Sequence, residues 1–437
     1  MTRTKIVRTA PWIAALLLAA PWALAQPLAI VGGTVHPISG PSYVGDVLVE
    51  NGRITTAGAG LEIPEGATRI DAQGLHVYPG MMDALSQLGL VEIGAVAATD
   101  DQAEMGVYNP HLEAATAVHP ASALIPVARA NGITHSLVAP ESDQTGVLPG
   151  RASLVNLDGW TVEEMRLDPA PILVVDWPGV VTRRFDFWTF SFKEVPFNEA
   201  KEKAESAQNE LRDWFDAARH YRRARSAEPV RADWDVRLEA LAEALEADRP
   251  VVFLASSKRD IEAAVAFAEE QELNMILAGA QNGWETRELL AEKGIPVILG
   301  MTQTLPEGED DPYDRPYANP GQLAEAGVRI AFGTGAGGGF GPGGPHSSRL
   351  IPWEAATAVP YGLSADDAMK ALTLWPAEML GLGDQLGSID PGKVANLIVT
   401  DGSPLEMTFQ VRHLIIAGRE VSTANRHRDL YETYRAR

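Results

Sequence analysis

Short runs of alternating apolar and polar residues open and close the chain, and a different pattern fills its middle. Residues 28–32, 46–51, 53–57 and 68–71 read as strands with one buried face, separated by Gly and Asn turns. A matching set at 395–400, 411–416 and 420–421 flanks the turn Ala417-Gly418. Both ends therefore read as pieces of one small β domain interrupted by something larger. From about residue 77 to 382, apolar runs of strand length alternate with helical stretches, the pattern of βα units around a parallel sheet. Strands are predicted at 75–82, 133–139, 172–176, 251–255, 274–278, 296–299 and 329–332, with 185–190 as the eighth. Helices are predicted at 198–225, 234–247, 259–271 and 284–293. Eight such units over roughly 300 residues predict a (β/α)8 TIM-like barrel beside a small composite β-sandwich formed by both termini.

The stretch 201–225 is dense in charge, yet Leu211, Trp214 and Phe215 recur at helical spacing, so it reads as a solvated outer helix of the barrel. Residues 302–322 are acidic and proline-rich and read as a loop at the barrel mouth. The first 25 residues follow another rule. Arg3, Lys5 and Arg8 precede an apolar run from Trp12 to Leu24, and Ala23-Leu24-Ala25 has the small-x-small form of a cleavage site. The run is too short to span a bilayer and is broken by Pro21. The expectation is a signal peptide at 1–25, cut after Ala25, and a periplasmic or secreted chain without a membrane anchor. The composite domain is then expected at 26–77 and 383–425, the barrel at 78–382 and a tail at 426–437.

Composition narrows the chemistry. The 437 residues carry a formal charge of −22, which repels phosphate backbones and argues against nucleic acid as a partner. A small-molecule ligand and a homo- or hetero-oligomer remain as candidate partners. Without cysteine there is no disulfide, thiolate metal site or cysteine nucleophile. No Gly-x-Ser-x-Gly elbow and no Ser-x-x-Lys motif occurs. The glycines of 333–338 match G-x-G-x-x-G, but Pro342 and Pro345 deny the prompt helix whose N-terminus would hold a phosphate. None of the nine histidines sits in a tight chelating pattern. His346 follows the eighth strand, on the face where barrels keep their sites. His135 lies within the second strand, and Asp83 ends the first motif of the barrel. Glu141, and Asp176 at the end of the third predicted strand, are further carboxylates near that mouth.

Two stretches carry a resemblance. Tyr78-Pro79-Gly80-Met81-Met82-Asp83 opens the barrel after a β hairpin, and 371–406 includes Ser388-Ile389-Asp390-Pro391-Gly392-Lys393 and Asn396-Leu397-Ile398-Val399. Together they resemble the amidohydrolase superfamily, closest to its imidazolonepropionase-like branch, over about 28–421. The resemblance implies hydrolysis of C–N bonds in the barrel mouth by a divalent metal such as zinc. It also explains β-rich segments at both ends, because the family returns to its composite sandwich after the barrel.

The same resemblance implies ligand positions that this sequence fills otherwise. The opening motif continues Asp-x-His-x-His in the family, whereas here it reads Asp83-Ala84-Leu85-Ser86-Gln87. Leu254 stands where the fifth strand should end in His, and the expected sixth-strand ligand falls at Gly279. Gly335 replaces the Asp that follows Phe-Gly-Thr after the eighth strand. A metal that lowers the pKa of bound water from about 15.7 to about 7 needs three or more N or O ligands, which leucine and glycine side chains cannot supply. No cofactor is therefore expected. The leading expectation is an exported, metal-free, degenerate member that binds a small ligand or a partner. One alternative is a hydrolase of cyclic amides or peptide-like substrates with a shifted site using His346, His135 and Asp83. Another is a structural subunit of an active relative.

Overall fold

The computed structural model describes residues 26–437 apart from 143–145, 169, 187–188, 190, 247–248, 307, 309 and 338–343; the expected signal segment lies outside the described residues. One sheet joins the two ends of the chain. Its order runs Arg419–Val421, Val411–Ile416, Leu397–Thr400, His76–Pro79, Leu28–Val35, Tyr43–Glu50 and Arg53–Gly58, with Thr68–Asp71 also paired to Leu28–Val35. Leu397–Thr400 runs antiparallel to His76–Pro79, from Leu397 opposite Pro79 to Thr400 opposite His76. That pairing makes the two ends one domain. Its core is aliphatic and drawn from both ends, with Ile30, Val47 and Val77 packed among Leu397, Val399 and Ile415.

The second sheet is the barrel. In ring order its strands are Met81–Ser86, Ile133–Val138, Gly150–Asn156, Ile172–Asp176, Val251–Ala255, Met275–Gly279, Val297–Leu299 and Ile330–Phe332. The last pair of neighbours needed for a ring, the first and eighth strands, meet where the Gly335 N–H donates to the Leu85 carbonyl at 2.7 Å. The interior is filled by alternate residues, among them Met82, Leu137, Leu154, Val174, Val252 and Ile276, so the barrel is a packed core closed below its mouth. Helices cover the outside. The helix Phe197–Arg225 buries Leu211, Phe215, Ala218 and Tyr221, the inward stripe that the sequence predicts. Phe215 meets Phe267 of the helix Lys258–Glu270 edge to face, with ring centroids 5.5 Å apart. Among the described residues no helix is long and apolar enough to cross a membrane.

Three expectations need correction. The run 75–82 is two strands, because the chain changes sheets at Gly80. A Cβ there would lie 2.2 Å from Thr134 Oγ1, so only glycine lets the first barrel strand start this close to the second. The strand that completes the count of eight is Gly150–Asn156, third in the ring, which runs antiparallel to both of its neighbours. The described residues around 185–190 instead belong to a separate hairpin, Arg183–Asp186 with Ser191–Glu194. The region 302–322 is a loop only as far as Asp314, since a helix starts at Arg315 with Pro316 in its first turn, where the missing N–H costs nothing.

Candidate functional site at the barrel mouth

A cavity of about 230 Å³ opens at the C-terminal ends of the barrel strands. Leu85, Gln87, Leu254 and Gly335 line it, so four of the five positions singled out in the sequence converge. The fifth is displaced by one residue. Ala278 faces the cavity, in register with Leu254 across the fifth and sixth strands. Gly279 turns to a smaller neighbouring cavity lined by Leu299, Met301 and Trp284. Gly279 has φ +97°, and a Cβ on it would sit 2.9 Å from Ser256 Oγ and 3.1 Å from the Ala255 carbonyl oxygen. No side chain fits there without moving the strand end.

The substitutions at this mouth fit one another. A Cβ at position 335 would lie 2.6 Å from Gln87 Nε2 and 3.0 Å from Gln87 Oε1. The glutamine amide thus occupies the volume that an acidic side chain after the eighth strand would need. Leu85 is fully buried in the interior cluster with Met82, Ala84 and Leu137. Among the described residues no group of three or more His, Cys, Asp or Glu side chains is placed to hold a metal ion. The residues at the mouth therefore do not fit a divalent metal of the kind the resemblance implies.

The three candidates for a shifted site do not meet, and none lines the mouth cavity. Asp83 is fully buried in the seam between the first and eighth strands. It accepts from the Thr334 N–H at 3.0 Å and from Thr334 Oγ1 at 2.8 Å. Burial raises its carboxyl to about 6 despite those donors. His135 points into the barrel near its floor. Its Nδ1 lies 2.7 Å from Thr134 Oγ1 and 3.4 Å from Asn396 Nδ2, and burial lowers its pKa to about 3. It is a neutral packing residue at working pH. His346 is exposed on the short 3-10 turn Pro345–Leu350. The pairing of the first two strands shifts register on either side of Asp83, between Met81 and Met82 and between Asp83 and Ser86.

The mouth carries other polar groups. Asp176 ends the strand that stands fourth in the ring, paired with Leu254 of the fifth. Burial raises its carboxyl to about 6, and the nearby Glu141 acts in the same direction. Asp260 also reaches the cavity, but its oxygens are engaged. Oδ1 accepts from the Val180 N–H at 3.2 Å and Oδ2 from Ser257 Oγ at 2.7 Å, which fixes the start of the helix Lys258–Glu270. Trp177 and Ser256 complete the polar and aromatic part of the wall. Sequence reading placed Asp176 near the mouth but counted its strand as the third. It did not find Trp177, Ser256 or Ala278, whose only signal is that they follow or end predicted strands.

Comparison with known proteins places this architecture. A model of the amidohydrolase family matches residues 315–421. The chain is 24% identical over 393 residues to amidohydrolase tasK of Hapsidospora irregularis, covering 83% of this chain and 38% of that protein. It is 30% identical over 132 residues to an imidazolonepropionase of Thermoanaerobacter pseudethanolicus, covering 29% of this chain and 31% of that enzyme. The matches thus span about a third of the length of these curated relatives. Among solved structures, an amidohydrolase from Thermotoga maritima MSB8 superposes with a TM-score of 0.77 and 28% identity, covering 90% of this chain and 99% of its own. Composite sheet, eight-stranded barrel and these matches agree: the chain belongs to the amidohydrolase superfamily, in its imidazolonepropionase-like branch.

Proposed function

We propose that this protein is a metal-independent, ligand-binding member of the superfamily, exported by its N-terminal segment, whose barrel mouth has been converted from metal chemistry to recognition. The observation that carries the reading is the packing of Gln87 against the Cα of Gly335. Two positions that the family uses for a histidine ligand and a carboxylate base are here filled by one neutral amide. A lone lost ligand leaves a gap, whereas this pair leaves none. Leu85 and Leu254 add aliphatic surface where a hydrated ion would need N or O donors. With no activated water and no general base at those positions, C–N hydrolysis by the family route has nothing to start it. The mouth holds a cavity of about 230 Å³ with a set of polar groups, which suits a small organic ligand. Assembly with another copy or with a metal-competent relative is compatible with this role.

The test is a hydrolysis panel of lactams, hydantoins, N-substituted formamides and dipeptides. It is run on the chain from Gln26 onward, with and without added zinc, manganese or iron(II). The reading predicts no metal-dependent turnover on any of them. Turnover that appears with metal and disappears in Gln87→Leu overturns it.

A further inference from the structure

Resting on that reading, we infer that the mouth cavity takes a small primary or secondary ammonium compound with a compact apolar body, its nitrogen seated on Asp176 and a hydrogen-bonding group on Gln87. The cavity is acidic: Asp176, Glu141 and Asp260 line it, and among the described residues no Lys, Arg or His does. Asp260 is committed to Val180 and Ser257. Among the described residues Asp176 is paired with no cation; the hydroxyl of Ser142 stands beside it, and the Glu141 carboxylate is near. A largely buried carboxylate without a cation loses hydration and gains nothing in return. An ammonium group arriving there restores the missing partner.

A second observation is independent of the acids. Gln87 is only 6% exposed, lines the cavity, and its carboxamide makes no hydrogen bond among the described residues. A buried amide has one acceptor and two donors to satisfy, and leaving them unmade is unfavourable. Its position over Gly335 holds it facing the cavity. A carbonyl, hydroxyl or amide of the ligand is the natural complement.

The remaining wall sets the body of the ligand. Leu85, Leu254, Ala139 and Ala278 are aliphatic, and Leu254 stands beside Asp176 across two paired strands. At about 230 Å³ the space is smaller than a typical drug-sized pocket of roughly 300–1,000 Å³, so the ligand is small. A free amino-terminal or cyclic amine with a short aliphatic skeleton meets all three requirements. A simple anion meets none.

The experiment is calorimetric titration of the purified chain with three probes of one shape: cyclohexylammonium, cyclohexanol and cyclohexanecarboxylate. Cyclohexylammonium is expected to bind at least about tenfold more tightly than the alcohol, the lower bound for a hydrogen bond to a charged group, and the carboxylate is expected not to bind. Asp176→Asn should erase the preference for the ammonium over the alcohol while leaving alcohol binding intact, which also shows that the variant is folded. Glu141→Gln, at the exposed rim, should weaken ammonium binding less. Equal binding of ammonium and alcohol, or an ammonium preference that survives Asp176→Asn, overturns the inference. A parallel titration with zinc separates the two levels. Zinc bound at the mouth, lost in Asp176→Asn, overturns the metal-independent reading itself. No binding of either zinc or ammonium overturns the amine inference alone.

Discussion

Asp83 offers the sharpest test of how the barrel is held shut. Its carboxylate is fully buried and accepts from the N–H and hydroxyl of Thr334, which follows the strand that must meet its own for the ring to close, with the hydroxyls of Ser86 and Ser348 also beside it. Burial raises it from 3.8 to about 6. The folded chain therefore holds this proton more tightly than the unfolded chain does. Stability contributed at low pH is lost as pH rises through the interval from 3.8 to about 6. At about 1.4 kcal/mol per pH unit the full loss is about 3 kcal/mol, of which about 2 to 3 falls between about pH 4 and pH 7.5. Asp83→Asn keeps the shape and leaves an acceptor for the Thr334 N–H, while its amide faces a hydroxyl that can turn to accept. The variant cannot ionise. Urea unfolding of both proteins across that pH range, compared as a difference so that other titrating groups cancel, should show the Asn variant gaining about 2 to 3 kcal/mol relative to the parent as pH rises. Two parallel stability curves would refute the reasoning. So would a difference that grows on the acid side.

Two further outcomes follow from the same structure. His135 titrates with the opposite sign: its pKa is lowered from 6.5 to about 3, so the unfolded chain takes up a proton that the folded chain refuses, and stability falls as pH drops through that interval. His135→Gln should therefore resist acid unfolding near pH 4 by about 3 kcal/mol more than at neutrality, read from denaturant midpoints at the two pH values. Gly279→Ala forces a side chain into φ +97° and against Ser256 and Ala255. It should cost about 1–3 kcal/mol, seen as a lower melting temperature in calorimetry.

Much of this architecture is legible in the sequence, because period-two and helical patterns survive wherever one face is buried and the other is wet. The aromatic and aliphatic stripe of Leu211 and Phe215 is the clearest case, and the packed helix keeps it. The antiparallel strand Gly150–Asn156 is not legible as a barrel strand. It is buried along nearly its whole length, so Ala152 and Leu154 facing inward alternate with residues that are also buried, and no contrast marks the period. The join at Gly80 is invisible for a different reason. Residues on both sides are apolar, and the need for glycine arises only from Thr134 in the next strand.

The site divides in the same way. Leu85, Gln87, Leu254 and Gly335 are placed at the mouth by the family resemblance, whose ligand positions sit at strand ends. Their mutual fit is not given by it. That Gln87 fills the space over Gly335 depends on two strands at opposite ends of the chain meeting in the ring. Gly279 missed by one residue, because the alternation along its strand puts Ile276 and Ala278 inward and turns Gly279 to the other side. Asp83, His135 and His346 are separated by packing that no local spacing reports. One is latched to Thr334, one is sunk beside Asn396, and one is exposed on a turn.

The most direct test of the central claim is metal stoichiometry by mass spectrometry on the untagged chain from Gln26, purified without chelators and measured again after incubation with zinc and buffer exchange. The account predicts no stoichiometrically retained ion before or after. About one or two tightly held ions per chain would contradict it.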